Sequence, residues 1–382
     1  MTDEGSIAGP AADQQRLAAK VLARRRAVAI IDLVALRANY RQLAALSLPG
    51  DGAPVVKGSG YGLGMAAVSK AVAAVGARTF LVARREDGED LRVALPAAEI
   101  MVLDGLGGHH PDEFDAHGLT PVLGDLADLK RWFVKPRRMP ALVHFDTGMS
   151  RLGLRPDEAE AALAFLAPAP KSAIAGYMTH FLNADDADLA RCTQQVADFH
   201  RAIAGLPKAR TSIVNSAGLF LDSERAWRGS FTRLGKALYG IHTGPLYQPN
   251  PMRPVLSVYA PVLQVRDVAK GETIGYGATF TAPVPMRVAT LGIGYTNGYL
   301  RSLSNKGVVC LDGVRAPVVG RVSMDLLTVD ITQVPEAAVC TGAAEILGPN
   351  IGLTELSALA GSNEHEMQIT LGSSCHRVYV GE

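Results

Sequence analysis

The chain has 382 residues, 48% hydrophobic and 20% charged, with a formal net charge of +1 at pH 7. That composition suits a globular protein with a sizeable core, and it excludes a whole-molecule field that would draw nucleic acid or an anionic membrane surface. A small molecule is the expected partner.

The opening "MTDEGSIAGPAADQQ" is acidic and has no apolar stretch behind a basic start, so no secretory signal is expected. No apolar run approaches the roughly eighteen residues that a membrane span needs. Cys192, Cys310, Cys340 and Cys375 lie far apart, without the paired spacing of zinc or redox sites. Reduced thiols, a cytoplasmic location and no metal are the expectation. Residues 1–27 read as an N-terminal extension in which "QQRLAAKVLARRR" forms a solvated basic helix.

From residue 28 the pattern changes to short β-branched runs alternating with Ala/Leu-rich stretches of helical period. "AVAIIDL" leads into "VALRANYRQLAAL", and then come "APVVK", "RTFLVA", "EIMVL", "TPVL", "ALVHFD", "SAIAGYMTH" and "RTSIVNS", with a final segment near "RLGKALYG". About eight such units predict an α/β fold, a (β/α)8 barrel over residues 28–252. Beyond it, Val, Thr and Tyr with frequent Gly and Pro, and a hairpin signal in "LDGV", predict a second, mostly β-strand domain over 253–382.

Lys57, His144, His180 and Ser216 each fall at or just past the C-terminal end of an apolar run, the face where such barrels carry their chemistry. Lys57 is followed by four glycines among seven residues, "GSGYGLG". Glycines there let the backbone approach an anion, and a strand-end lysine beside them suits a covalent bond to an aldehyde cofactor, pyridoxal phosphate above all. A lysine reaching into solvent would look the same. Further polar groups cluster in "LVHFDTGMSRLGL", "GYMTHFLNADD", "VNSAG" and "FTRLGKALYG".

These blocks, with "YGATF", "LGIGYTNGYLR" and "VGRVSMD" after them, resemble in content and order those of the alanine racemases, from about residue 28 onward. The resemblance implies a pyridoxal 5'-phosphate enzyme that interconverts the enantiomers of a small amino acid, most simply L- and D-alanine. It implies a homodimer whose active sites are shared between subunits. Lys57 then carries the cofactor. Tyr61, Ser216 and the backbone around Gly235 and Lys236 hold its phosphate, with His365 near it. Arg233 donates to its pyridine nitrogen, and His180 lies beside Arg233. Arg151 and the Met324 backbone N–H meet the substrate carboxylate, and Tyr295 lines the entrance. Tyr276 is the second catalytic base and comes from the partner subunit.

Racemisation takes a proton from one face of the α-carbon and returns one to the other, so two opposed bases are needed. Lys57 and Tyr276 would be that pair, with the phenolate of Tyr276 favoured by neighbouring cations, His180 and Arg233.

The chain also departs from the family pattern. His144 stands where many members have a carbamate-bearing lysine, so a chloride or a neighbouring carboxylate would have to orient Arg151. His365-Glu366 stands for a usual Tyr-Glu pair, Tyr295-Thr-Asn297-Gly for Tyr-x-Asp-Gly, and Gly58-Ser59-Gly60 for Ala-Asn-Ala. A serine racemase, a decarboxylase or lyase of the same fold, and a non-catalytic pyridoxal-phosphate-binding protein are the alternatives. Two opposed bases weigh against the one-faced reactions, and residues 256–382 weigh against a carrier.

Overall fold

The computed structural model describes residues 26–186, 188–222, 225–244 and 249–381. The basic segment expected to form an N-terminal helix lies outside the described residues, as does most of the 1–27 extension. The chain divides into two compact units, one of Ala35–Gly60 with Gly64–Arg253, the other of Tyr61–Leu63 with Pro254 onward and the described residues up to Val34.

Strand β1 (Val28–Asp32) belongs to the second unit. The first unit holds β2 (Asp51–Pro54), β3 (Thr79–Val82), β4 (Glu99–Val102), β5 (Thr120–Leu123), β6 (Ala141–His144), β7 (Ile174–Met178), β8 (Thr211–Ser212) and β9 (Phe231–Leu234). Strands β3 to β8 pair in sequence order, all parallel, and β2 pairs parallel with β9. Two bridges, Val55 with Leu81 and Asn215 with Arg233, join these sets at both ends. The eight strands therefore close into the (β/α)8 barrel that the alternation predicts.

The residue pattern explains the packing. β3 and β5 are buried at every position, as parallel strands must be when side chains fill one face and helices cover the other. The helix Leu189–Ile203 turns Cys192, Gln195, Val196, Phe199 and Ala202 inward at helical spacing. One of these five is polar.

The sequence reading places "AVAIIDL" in the barrel, and the structure corrects this. β1 lies in the other unit's sheet, antiparallel to β10 (Leu256–Val268) and parallel to β18 (His376–Val380). An apolar run buried on both faces looks the same in either place, so periodicity cannot separate them. The barrel's eighth strand is instead β9, within the "FTRL" that closes the alternation.

In the β-rich unit, β10 is long enough to serve two pairings. Its first half lies between β1 and β17 (Ala343–Leu347), and its second half pairs with β13 (Met286–Leu291). β13 continues to β16 (Leu327–Asp330), and β17 to β14 (Val308–Leu311) and β15 (Val314–Pro317). The hairpin read from "LDGV" joins β14 to β15. β11 (Thr273–Ile274) and β12 (Phe280–Thr281) form a small ribbon that carries the Tyr276 turn.

A buried ion pair fastens the barrel unit. Asp222 and Arg228, with side chains 2% and 4% exposed, meet at 3.3 Å. Arg228 also donates to the carbonyl of Leu46, at the end of the helix Leu33–Ser47. Asp222→Ala would leave the guanidinium buried without its carboxylate. A loss of about 3–5 kcal/mol is expected, read as a lowered urea midpoint of the barrel transition.

Candidate active site

Lys57 begins where β2 ends, and the chain then turns in a left-handed sense. Gly58, Ser59 and Gly60 have φ of 61°, 55° and 65°, and Tyr61 follows at 53°. L-residues avoid this region, so glycines at the first and third positions lower the cost of a turn that Ser59 and Tyr61 must still adopt. Hydrogen bonds from Gly60 N–H to Val56 O and from Gly64 N–H to Ser59 O fix the loop. Burial and the positive Arg151 both lower the Lys57 pKa, against an opposing pull from Asp104. More of its amine is therefore uncharged and able to act as nucleophile or base.

Arg233, on β9, is 3% exposed and turns its guanidinium onto the ends of neighbouring strands. One terminal nitrogen donates to Ser212 O and Ser212 Oγ at 2.9 and 2.6 Å. The other reaches Thr179 O at 2.6 Å, Ile213 O at 3.1 Å and His180 Nδ1 at 3.2 Å. Nε–H is left without an acceptor among the described residues. Burial pulls the Arg233 pKa down to about 9, still above neutrality, so the group stays charged. Because His180 Nδ1 accepts, its proton sits on Nε2.

The expectation that His180 is a cation is corrected by its surroundings. Burial, then the charges of Arg233, His144, Arg151 and Lys57, hold its pKa well below the ordinary value. His144 is lowered to about 4, by burial first, then Arg233, with Asp146 opposing. Both imidazoles are neutral at pH 7.

Two short helical starts meet near Arg233. Asn215 caps the helix Ser216–Leu221 by accepting from Gly218 N–H at 2.9 Å, and Ser216 Oγ accepts from Gly235 N–H at 2.9 Å. The Lys236 ammonium pairs with Asp185 at 2.5 Å, so this residue offers an anion its backbone N–H. Arg151 is exposed and follows a turn made by Asp146, whose carboxylate accepts from the N–H groups of Gly148, Met149 and Ser150 at 2.8–2.9 Å. No carboxylate of the described residues pairs with Arg151.

The β-rich unit carries the remaining residues. Tyr61 is buried, its pKa pushed up to about 12 by desolvation, and its ring lies 6.0 Å from that of His365. Tyr276 stands on a turn between Gly275 and Gly277, with φ of 77° and 73°, and is 73% exposed. Arg321 packs against both glycines. Tyr295 and Met324 are joined by hydrogen bonds from Tyr295 N–H to Ser323 O at 3.1 Å and Thr296 N–H to Met324 O at 3.0 Å. Tyr295 and Met324 are 42% and 55% exposed. The Met324 N–H has no acceptor among the described residues.

Comparison with known proteins follows the same division. The family models for the alanine racemase N-terminal and C-terminal domains match residues 31–243 and 255–379. The chain belongs to the alanine racemase family. It is 41% identical over 355 residues to an alanine racemase of Methylobacterium sp. (strain 4-46), covering 92% of this chain and 96% of that one. It is 38% identical over 356 residues to a catabolic alanine racemase of Agrobacterium fabrum, covering 92% and 91%. Among solved structures, it resembles the Bartonella henselae alanine racemase with covalently bound pyridoxal phosphate at a TM-score of 0.87 and 34% identity, covering 93% and 99%. The Bacillus anthracis alanine racemase with bound L-Ala-P gives 0.83 and 26%, covering 94% and 96%.

The alanine racemase residues present here fit pyridoxal phosphate by their donor set. A lysine of lowered basicity, a buried guanidinium with a spare N–H, and the helical start at Lys236 beside the Ser216 hydroxyl are the partners such a molecule needs. The sequence reading missed the groups that hold Arg233: Thr179, Ser212 and, behind them, Thr147 and Gln195. A glutamine on the apolar stripe of the helix Leu189–Ile203 was the available signal.

Folded His144 and His180 resist protonation, while an unfolded histidine titrates near pH 6.5. Below that pH the unfolded chain binds more protons, so stability falls as pH drops from about 6.5 towards 4. His144→Asn removes one such site. The urea midpoint of this variant is expected to fall less than that of the wild type between about pH 7.5 and 5.

Proposed function

We propose that this protein interconverts L- and D-alanine with pyridoxal 5'-phosphate, using Lys57 and Tyr276 as opposed bases. The observation that carries the reading is the buried Arg233 fan, with its spare Nε–H, in a chain of the alanine racemase family that has Lys57 at a barrel strand end. Pyridoxal phosphate, when bound, draws electrons from the substrate's α-carbon and makes its proton removable. Lys57 would hold the cofactor and, once displaced from it by the substrate's amine, would exchange a proton on one face of that carbon, its lowered pKa favouring the uncharged amine. Tyr276 of the partner subunit exchanges it on the other.

Arg233, charged at neutral pH, would hold the cofactor's pyridine nitrogen through its spare Nε–H and, by keeping its own proton, would leave that nitrogen unprotonated. Electron withdrawal is thereby restrained, which favours return of the proton over side reactions. Ser216, Gly235, Lys236, Tyr61 and His365 hold the phosphate, the first three through the helical starts described above. Arg151 and the Met324 N–H receive the substrate carboxylate, and Tyr295 lines the way in.

A homodimer with shared sites is supported by the exposure of Tyr276, Tyr295, Met324 and Leu326, large apolar groups that a single chain leaves in water. No helix among the described residues is long and apolar enough to cross a membrane. We assign the protein to the cytoplasm and its reaction to D-alanine supply.

The test is α-proton exchange. With L-alanine in D2O the wild type should incorporate deuterium and lose optical rotation. Tyr276→Phe should slow racemisation by about 100- to 10,000-fold while the cofactor's visible absorption persists. Wild-type activity in that variant would remove Tyr276 from the pair.

A further inference from the structure

A closed ring of hydrogen bonds lies behind the Arg233 fan. Gln195 is 1% exposed on the inner face of the helix Leu189–Ile203. Its Oε1 accepts from Leu182 N–H at 3.0 Å, and its Nε2 donates to His180 O at 3.0 Å and Thr147 Oγ1 at 3.1 Å. Thr147 Oγ1 is paired with Thr179 Oγ1 at 2.7 Å. Thr179 and His180 are in turn two of the groups to which Arg233 donates, through the carbonyl of one and Nδ1 of the other. The path from Gln195 to Arg233 can thus be followed by two routes, a buried one through Thr147 and Thr179 and a partly buried one through His180.

We infer that Gln195 is a positioning residue for the racemase reaction, setting the aim of Arg233 and His180 from the outer helical layer. This rests on the proposed role of Arg233 at the cofactor. For packing alone, an apolar side chain would serve on this helix face. The site needs something else. Leu182 N–H requires an acceptor, while His180 O and Thr147 Oγ1 require donors, and among side chains of this length only a carboxamide presents both. The same side chain grips the backbone on both sides of Phe181, so it fixes the turn that follows β7. Through Thr147 it also reaches the loop that begins at Asp146 and leads to Arg151. A small rotation of that turn would move His180 Nδ1 and Thr179 O together, and Arg233 with them.

Gln195→Glu keeps the shape and removes both donors. Thr147→Val keeps the shape and cuts only the route through Thr147 and Thr179. The experiment compares these two, and the double variant, with the wild type as full-length protein loaded with pyridoxal phosphate. The readouts are the visible absorption of the bound cofactor as a function of pH, kcat and KM for L-alanine, and the melting temperature.

Each single variant is expected to lose about 10- to 100-fold in kcat with a much smaller change in KM. The pH midpoint of the visible band should move in each. The double variant should lose little more than the worse single one, because both substitutions interrupt one ring. An unchanged visible titration in the folded variants would overturn the proposal, whether kcat is kept or falls in step with a lowered melting temperature. If Gln195→Glu does not fold, Thr147→Val decides alone. If the wild type binds the cofactor but does not racemise alanine, the proposed function fails, and the titration still decides whether Gln195 and Thr147 tune the site.

Discussion

A guanidinium buried at the end of the barrel's last strand constrains much of what surrounds it. A lone charge at 3% exposure would be costly, and Arg233 is tolerated because five oxygen and nitrogen acceptors, from the end of β8 and the residues just after β7 and β8, converge on it. Those acceptors are mostly backbone carbonyls, so the arginine also fixes how these strands end. It sets the tautomer of His180. It also adds to the field that keeps His180 and His144 neutral, beyond what burial does.

The positive charge in the barrel unit therefore has a hierarchy. Arg233 is saturated and immobile, apart from one N–H. Arg151 is exposed and is presented by a turn whose carboxylate, Asp146, is spent on three backbone N–H groups. Lys57 has its proton loosened by burial and by the charge of Arg151. Such an order suits three roles that differ in how much each group must move: hold a ring, receive a carboxylate, and exchange a proton.

Much of this was legible from residues alone. Alternating apolar runs and helical stretches marked the barrel, and polar residues at run ends marked its working face. Three things were not. The partner of "VAIID" could not be read, because a strand buried on both faces has no polarity to say which sheet it joins. The charge of His180 was misjudged, because burial that outweighs ordinary basicity comes from residues scattered from Lys57 to Arg233. The left-handed turn after Lys57 was hidden too: glycines permit it, but Ser59 and Tyr61 adopt it only because the surrounding loop holds them there. Gln195 stood in plain view on its helix, and its meaning lay in partners from two other segments, at Thr147 and at His180–Leu182.

The place of β1 has a consequence for how the molecule is made. It is an interior strand of its sheet, between β10 and the edge strand β18, both encoded beyond the barrel. During synthesis it emerges first and stays unpaired while the whole barrel segment is translated, a bare apolar edge in the nascent chain. Neither unit can be cut out as one continuous stretch, since Tyr61–Leu63 also count with the β-rich part. A gene fragment starting at Pro254 would encode a sheet without the strand that joins β18 to β10, and circular permutation that joins β1 to its partners would shorten that wait.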